Sequence, residues 1–388
     1  MKKIVIFAFL GLTLLSSSSA DEYLIQEMES LKGSLAANDP DRSILSMRLA
    51  DLYFDVSIQE GEASQLIPYR EKALKLYKDV LYGRDGIKKA DASNGVLIQY
   101  NIARVLKKLS RFDQSKEYYI KVYHSQFSSK RLKREASFSL AEYYEEKVNF
   151  NKADQFYLAG ISLCETVESC NYAHYKRAWL HYKEVKLDSA ISELKLSLFE
   201  RDGTVREKVI NDLLLFFSSD LTNGEKELAY IRELSKKTGQ KELVRRLVEA
   251  FYGAGNRIAG STVLVELNKE QPDVFYEMRL LEEFYGFRDI DLVKKYLTKL
   301  EKRSRADLPK KKEESKEFKA MLKRVIVQFD SEVESNKAYS EILKRSIDRY
   351  LVFYPNDEMR KKMQQGWLKV ETSELAKLDR LKIWIDED

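Results

Sequence analysis

The sequence predicts an all-α chain, built as a solenoid of stacked antiparallel helix pairs. Three observations predict it. Helix breakers are scarce: the 388 residues hold five prolines and fifteen glycines, where average usage is roughly 5% and 7%. Apolar residues make up 44% of the chain and charged residues 33%, enough for a core beneath a polar surface. A pattern of small and bulky residues also recurs at offsets of 38 and 37 residues. The shortage of turn residues argues against sandwiches and barrels, and the composition excludes collagen-like and disulfide-scaffold classes.

The first element is a targeting segment. Lys2 and Lys3 precede an apolar run from Ile4 to Leu15, and Ser18 and Ala20 sit at −3 and −1 of a cut before Asp21. This is the layout of a cleaved secretory signal peptide over residues 1–20. The run is too short to span a bilayer, which takes roughly 20 apolar residues. No later run is long enough either, so the mature chain is expected to have no transmembrane span. Export bears on the two cysteines, Cys164 and Cys170. In an oxidising compartment they form a candidate disulfide; the other reading is a pair of free thiols between two helices.

Residues 21–300 read as the repeat solenoid. Ala50 and Tyr53 fit a first helix, and Ala73 and Tyr77 a second, with an insertion around Gly61–Pro68 between them. The best units cover residues 99–197. Their first helices carry Ala103, Ala141 and Ala178; nine residues on stand Phe112, Phe150 and Leu187. Three further stand Ser115, Ala153 and Ala190, and four beyond those Tyr119, Tyr157 and Leu194. Small residues let two helix axes approach, bulky ones fill the space around them, and a lone pair cannot bury both faces, so units stack. Residues 209–236 read as a pair with a turn at Thr222-Asn223-Gly224. Residues 247–272 turn at Gly255-Asn256, use Gly260 and Leu264, and close on Pro272. Residues 275–300 give a further pair with Tyr285, Val293 and Leu297. Residues 301–317 read as a charged linker. Residues 318–388 read as a degenerate repeat, with Leu343, Ile347, Tyr350 and a closing Pro355, followed by one capping helical stretch over 358–385. Exposed Trp384 in that stretch is a candidate partner anchor. All five prolines are expected at helix junctions.

The repeated order resembles the tetratricopeptide repeat (TPR) family, whose 34-residue helix-turn-helix unit carries the same small and bulky sites. The resemblance implies a right-handed superhelix whose first helices line a concave groove for peptides or protein segments. The longer periods and Arg177, where an apolar residue is usual, depart from the family pattern. On that reading Tyr100, Arg104, Phe138, Tyr175, Trp179 and Tyr182 are the groove candidates, since rigid aromatics beside Arg make good anchors. The column Tyr100, Phe138 and Tyr175 equally suits packing between repeats. The family's carboxylate clamp uses Lys and Asn where Tyr100 and Arg104 stand, so binding of chaperone tails is not expected.

No catalytic, cofactor or metal site emerges. His174 and His181 lie seven apart, about 10 Å along a helix, too far to share one zinc. His124 stands in no motif. There is no GxxxxGK[ST], no GxSxG and no HExxH. The net charge of +5 forms no basic stripe, so nucleic acid is not an expected partner. The expected function is a non-enzymatic, periplasmic scaffold that binds a protein or peptide partner in the bacterial envelope, in secretion, motility or envelope assembly. A cell-wall lytic glycosidase on a solenoid and a self-assembling spacer are the alternatives.

Overall fold

The computed structural model describes residues 17–59, 62–200, 202–220, 222–334 and 338–387. The n-region and apolar run of the expected signal peptide, residues 1–16, lie outside the described residues. Among those described, the chain forms nineteen α-helices and no strand beyond an isolated bridge between Phe199 and Val205. It divides into two compact units, the second beginning at Asn211.

The first unit holds α1 (Ser17–Ser34), α2 (Pro40–Ser57), α3 (Ala63–Tyr82), α4 (Ala92–Lys108), α5 (Phe112–His124), α6 (Lys130–Glu146), α7 (Phe150–Ile161), α8 (Asn171–Lys183) and α9 (Leu187–Leu196). After α1 they pack as the pairs α2/α3, α4/α5, α6/α7 and α8/α9. Helix α10 (Glu207–Ser219) crosses the division. The second unit continues with α11 (Glu225–Thr238), α12 (Leu243–Gly253), α13 (Arg257–Glu270), α14 (Val274–Gly286), α15 (Ile290–Glu301), α16 (Lys312–Glu332), α17 (Ala338–Phe353), α18 (Arg360–Val370) and α19 (Glu374–Glu387). Its pairs are α12/α13, α14/α15 and α16/α17.

The pattern read from the sequence is the core. Ala103, Ala141, Ala178, Ala153 and Ala190 are all fully buried, as are Tyr157 and Leu194. Ser115 takes the second small site in α5 and donates its hydroxyl to the Ala103 carbonyl at 2.7 Å. That bond satisfies a polar group that would otherwise be stranded between two helices.

One turn builds five of the pairs. The turn residue is left-handed: Ser110 (φ 59°), Val148 (57°) and Val185 (61°), each seven after its small alanine, and likewise Gly255 (79°) and Arg288 (62°), seven after Val248 and Leu281. The next residue donates its N–H five residues back, as Arg111 to Leu106, Asn149 to Tyr144, Lys186 to His181, Asn256 to Phe251 and Asp289 to Phe284, at 2.8–3.0 Å. This is the six-to-one bond of a Schellman ending. The same residue then starts the second helix, where Asn149, Asn256 and Asp289 accept from the backbone N–H three positions on.

Four sequence expectations change. Helix α3 begins at Ala63, so the region around Gly61–Pro68 is mostly helix; Pro68 lies inside α3 rather than at a junction. Near the start of a helix it removes only a bond close to the frayed end. Within the charged stretch 301–317, Glu301 ends α15, Arg305–Asp307 form a short 3-10 turn, and from Lys312 the residues form the first turns of α16, where Glu313 and Glu314 suit the positive helix end. The final stretch is two helices, α18 and α19, broken at residues 371–373. Trp384 is 4% exposed and meets Trp367 edge to face at 5.8 Å, so it is a packing residue and no exposed anchor. Cys164 and Cys170 are joined as a disulfide between α7 and α8, with α-carbons 6.1 Å apart, within the usual span.

A β-branched side chain in the left-handed region is strained by about 1–2 kcal/mol. Val185 is 88% exposed, so little packing is lost on removing it. Val185→Gly is expected to stabilise the chain by roughly 0.5–1 kcal/mol after the added freedom of the unfolded state. Equilibrium denaturation checks this; a loss of stability would contradict the turn.

Candidate functional site

Three columns run across the first helices α4, α6 and α8. Counted from the small residue, position −3 carries Tyr100, Phe138 and Tyr175; position +1 carries Arg104, Glu142 and Trp179; position +4 carries Lys107, Glu145 and Tyr182.

The −3 column is used in packing. Phe138 is 8% exposed and covers Gly160 of α7 so closely that a β-carbon there would clash with its ring. Tyr100 meets Tyr119 of α5 edge to face at 5.9 Å, and burial pushes its hydroxyl up to about 12. Tyr175 lies under Arg206 and Lys208, 5.7 and 5.2 Å from its ring centre. Three residues before the small site, a helical side chain leans toward the partner helix or the next repeat. The column therefore supports the stack.

The +1 and +4 columns tie one first helix to the next. Lys107 of α4 pairs with Glu142 of α6, and the Tyr172 hydroxyl of α8 donates to Glu142 as well. Glu145 of α6 accepts from Lys183 at 2.7 Å and Lys176 at 3.2 Å, both on α8. Arg104 stacks on Phe54 of α2 at 4.7 Å. The second unit repeats the device: Glu282 of α14 takes Arg324 of α16 at 2.6 Å, and Arg279 of α14 stacks on Tyr252 of α12 at 4.0 Å. Each such partly exposed pair contributes about 0.2–1 kcal/mol. Their sum holds neighbouring first helices in register. Trp179 and Tyr182 continue these columns on α8, half-buried and edge to face at 5.6 Å.

No family model and no curated protein matches the chain. It is similar to solved structures at low identity. BtubC (BKLC) from P. vanneervenii is 15% identical, covering 66% of this chain and 92% of that one, with a TM-score of 0.36. The Rap conjugation gene regulator of plasmid pLS20, in complex with the Phr* peptide, is 11% identical over 91% and 88%, at 0.35. The TPR domain of P58(IPK) is 14% identical over 92% and 97%, at 0.20. The buried small sites and the shared turn define the repeat. The fold is a TPR-like helical repeat.

Within that repeat Arg177 is accounted for. It replaces an apolar residue yet is nearly buried, donating to Asp154 of α7 at 2.7 Å and Glu193 of α9 at 2.5 Å. Buried His174 bonds Glu193 at 2.7 Å, and buried His181 lies 3.7 Å from Asp154. Both histidines thus belong to a structural network linking three helices. His124 is exposed and meets Tyr123 edge to face. Among the described residues no group of three or more His, Cys, Asp or Glu could hold a metal ion. No described helix is long and apolar enough to cross a membrane. Sequence reading missed the cross-repeat pairs, chiefly Tyr172 and Lys176, because partners 30 or more residues apart share no local motif.

Burial alone would raise the Glu145 carboxyl, but Lys183 and Lys176 override it and hold it below the ordinary carboxylate range. A lowered folded value stabilises above the unfolded value and is lost as pH falls through the folded one. Glu145→Gln is therefore expected to lower stability at neutral pH. The gap to the parent should close in acid, as followed by denaturant titration at both pH values. A gap that persists in acid would remove the ion pairs as its cause.

Proposed function

We propose that the chain is an exported scaffold, without catalysis of its own, that holds a protein or peptide segment of another envelope protein on the first-helix face of its first unit. One observation carries the reading. Arg104, Trp179 and Tyr182 share the columns that link first helices, while the −3 aromatics are consumed by packing. The cross-repeat pairs hold that face in a fixed shape, and a preorganised face binds at smaller entropic cost. Trp, Tyr and Arg are the residue types that dominate binding energy. The apolar run near the N-terminus and the Cys164–Cys170 bridge suit an oxidising, extracytoplasmic compartment.

Trp179→Ala with Tyr182→Ala is expected to weaken partner capture at least about tenfold, with thermal unfolding nearly unchanged. Phe138→Ala is expected to do the opposite, costing about 3–5 kcal/mol of stability as a buried aromatic. Pull-down and thermal melting on the same proteins separate the two. Equal loss of stability in both variants would place Trp179 and Tyr182 in the core and sink the reading. Export is tested separately by N-terminal sequencing of the mature protein, where Asp21 is expected and Met1 would contradict it.

A further inference from the structure

A cavity of about 350 Å³ is lined by residues of α1, α2 and α3. Its lining includes Lys32, Arg42, Lys72 and Lys75, against Glu29 as the one carboxylate. Lys32 is only 15% exposed in its side chain and reaches one acid, Asp85, at 3.5 Å. Lys72 lies 3.4 Å from Glu29 and 3.1 Å from the Tyr53 hydroxyl. Arg42 donates one Nη to the Leu35 carbonyl at 2.8 Å. Its Nε is buried without a hydrogen-bond partner. Lys75 is exposed at the mouth and has no acidic partner among the described residues.

Here positive charge is in excess within a concavity, and low-dielectric walls focus its field. The volume lies at the small end of ligand pockets, which run about 300–1,000 Å³. It suits a compact ligand, not a polymer. Arg and Lys together bind phosphate or carboxylate oxygens through charge-assisted hydrogen bonds.

We propose that this cavity is a binding site for a small polyanion bearing phosphate or carboxylate groups. The ligand takes the Lys32 and Lys75 ammonium groups beside the Arg42 guanidinium charge, and draws Lys72 away from Glu29. Isothermal titration of the purified chain at low salt, with pyrophosphate in one arm and citrate in the other, tests it. One-to-one binding is expected in at least one arm, weakening as salt rises; the arm that binds tells phosphate from carboxylate. Lys75→Glu lies at the exposed mouth, and circular dichroism verifies its fold. It is expected to weaken binding roughly tenfold, since it removes an attraction and adds a repulsion. Absence of binding in both arms would overturn the proposal. So would binding that Lys75→Glu leaves unchanged.

Discussion

Everything in this fold depends on how the chain reverses between two helices. At five pairs the reversal is the same: a left-handed residue, a six-to-one hydrogen bond, and an immediate second helix. The turn sets the second helix back along the first at a fixed offset. Only then do the two small sites of the three best units, seven residues before the turn and five after it, face each other. Fully buried Ala103, Ala141 and Ala178 are the outcome. A larger residue at any of them would separate the axes and open the contact that the aromatic residues close.

Once the pair is fixed, the side chains of the first helix divide their roles. The column that leans back goes to packing, as Phe138 shows over Gly160. The columns that look sideways reach the next first helix and tie to it, as Lys107 does to Glu142. At α8 the same columns carry Trp179 and Tyr182, with the area and rigidity to anchor a partner. The proposed binding face is thus a by-product of the stacking scheme, and its shape is set by pairs that are individually weak.

The pairing was legible because helix periodicity and small-residue spacing are local. The helices of the three best units and their buried sites follow directly from Ala103, Ala141 and Ala178. The turn was less legible. Glycine marks it only at Gly255; elsewhere Ser110, Val148, Val185 and Arg288 adopt the left-handed conformation under the demand of the packed helices, and no propensity announces that. The direction of the aromatic column was not legible either, since Tyr100, Phe138 and Tyr175 suit a groove as well as a core until the second helix is in place. Charge composition misled at residues 312–317, where Lys and Glu that suggest a linker are also good helix formers. Trp384 misled for a related reason: its partner Trp367 lies in a separate helix that the sequence reads as one continuous stretch.

The central claim is that the sideways-facing columns of the first helices, and not the second helices, meet the partner. Site-specific photocrosslinking in living cells tests it most directly, with the probe at position 179 on α8 or at position 158, an exposed site on α7. The account predicts a discrete protein adduct from position 179 and none from position 158. Adducts of equal yield from both positions, or from position 158 alone, would contradict it.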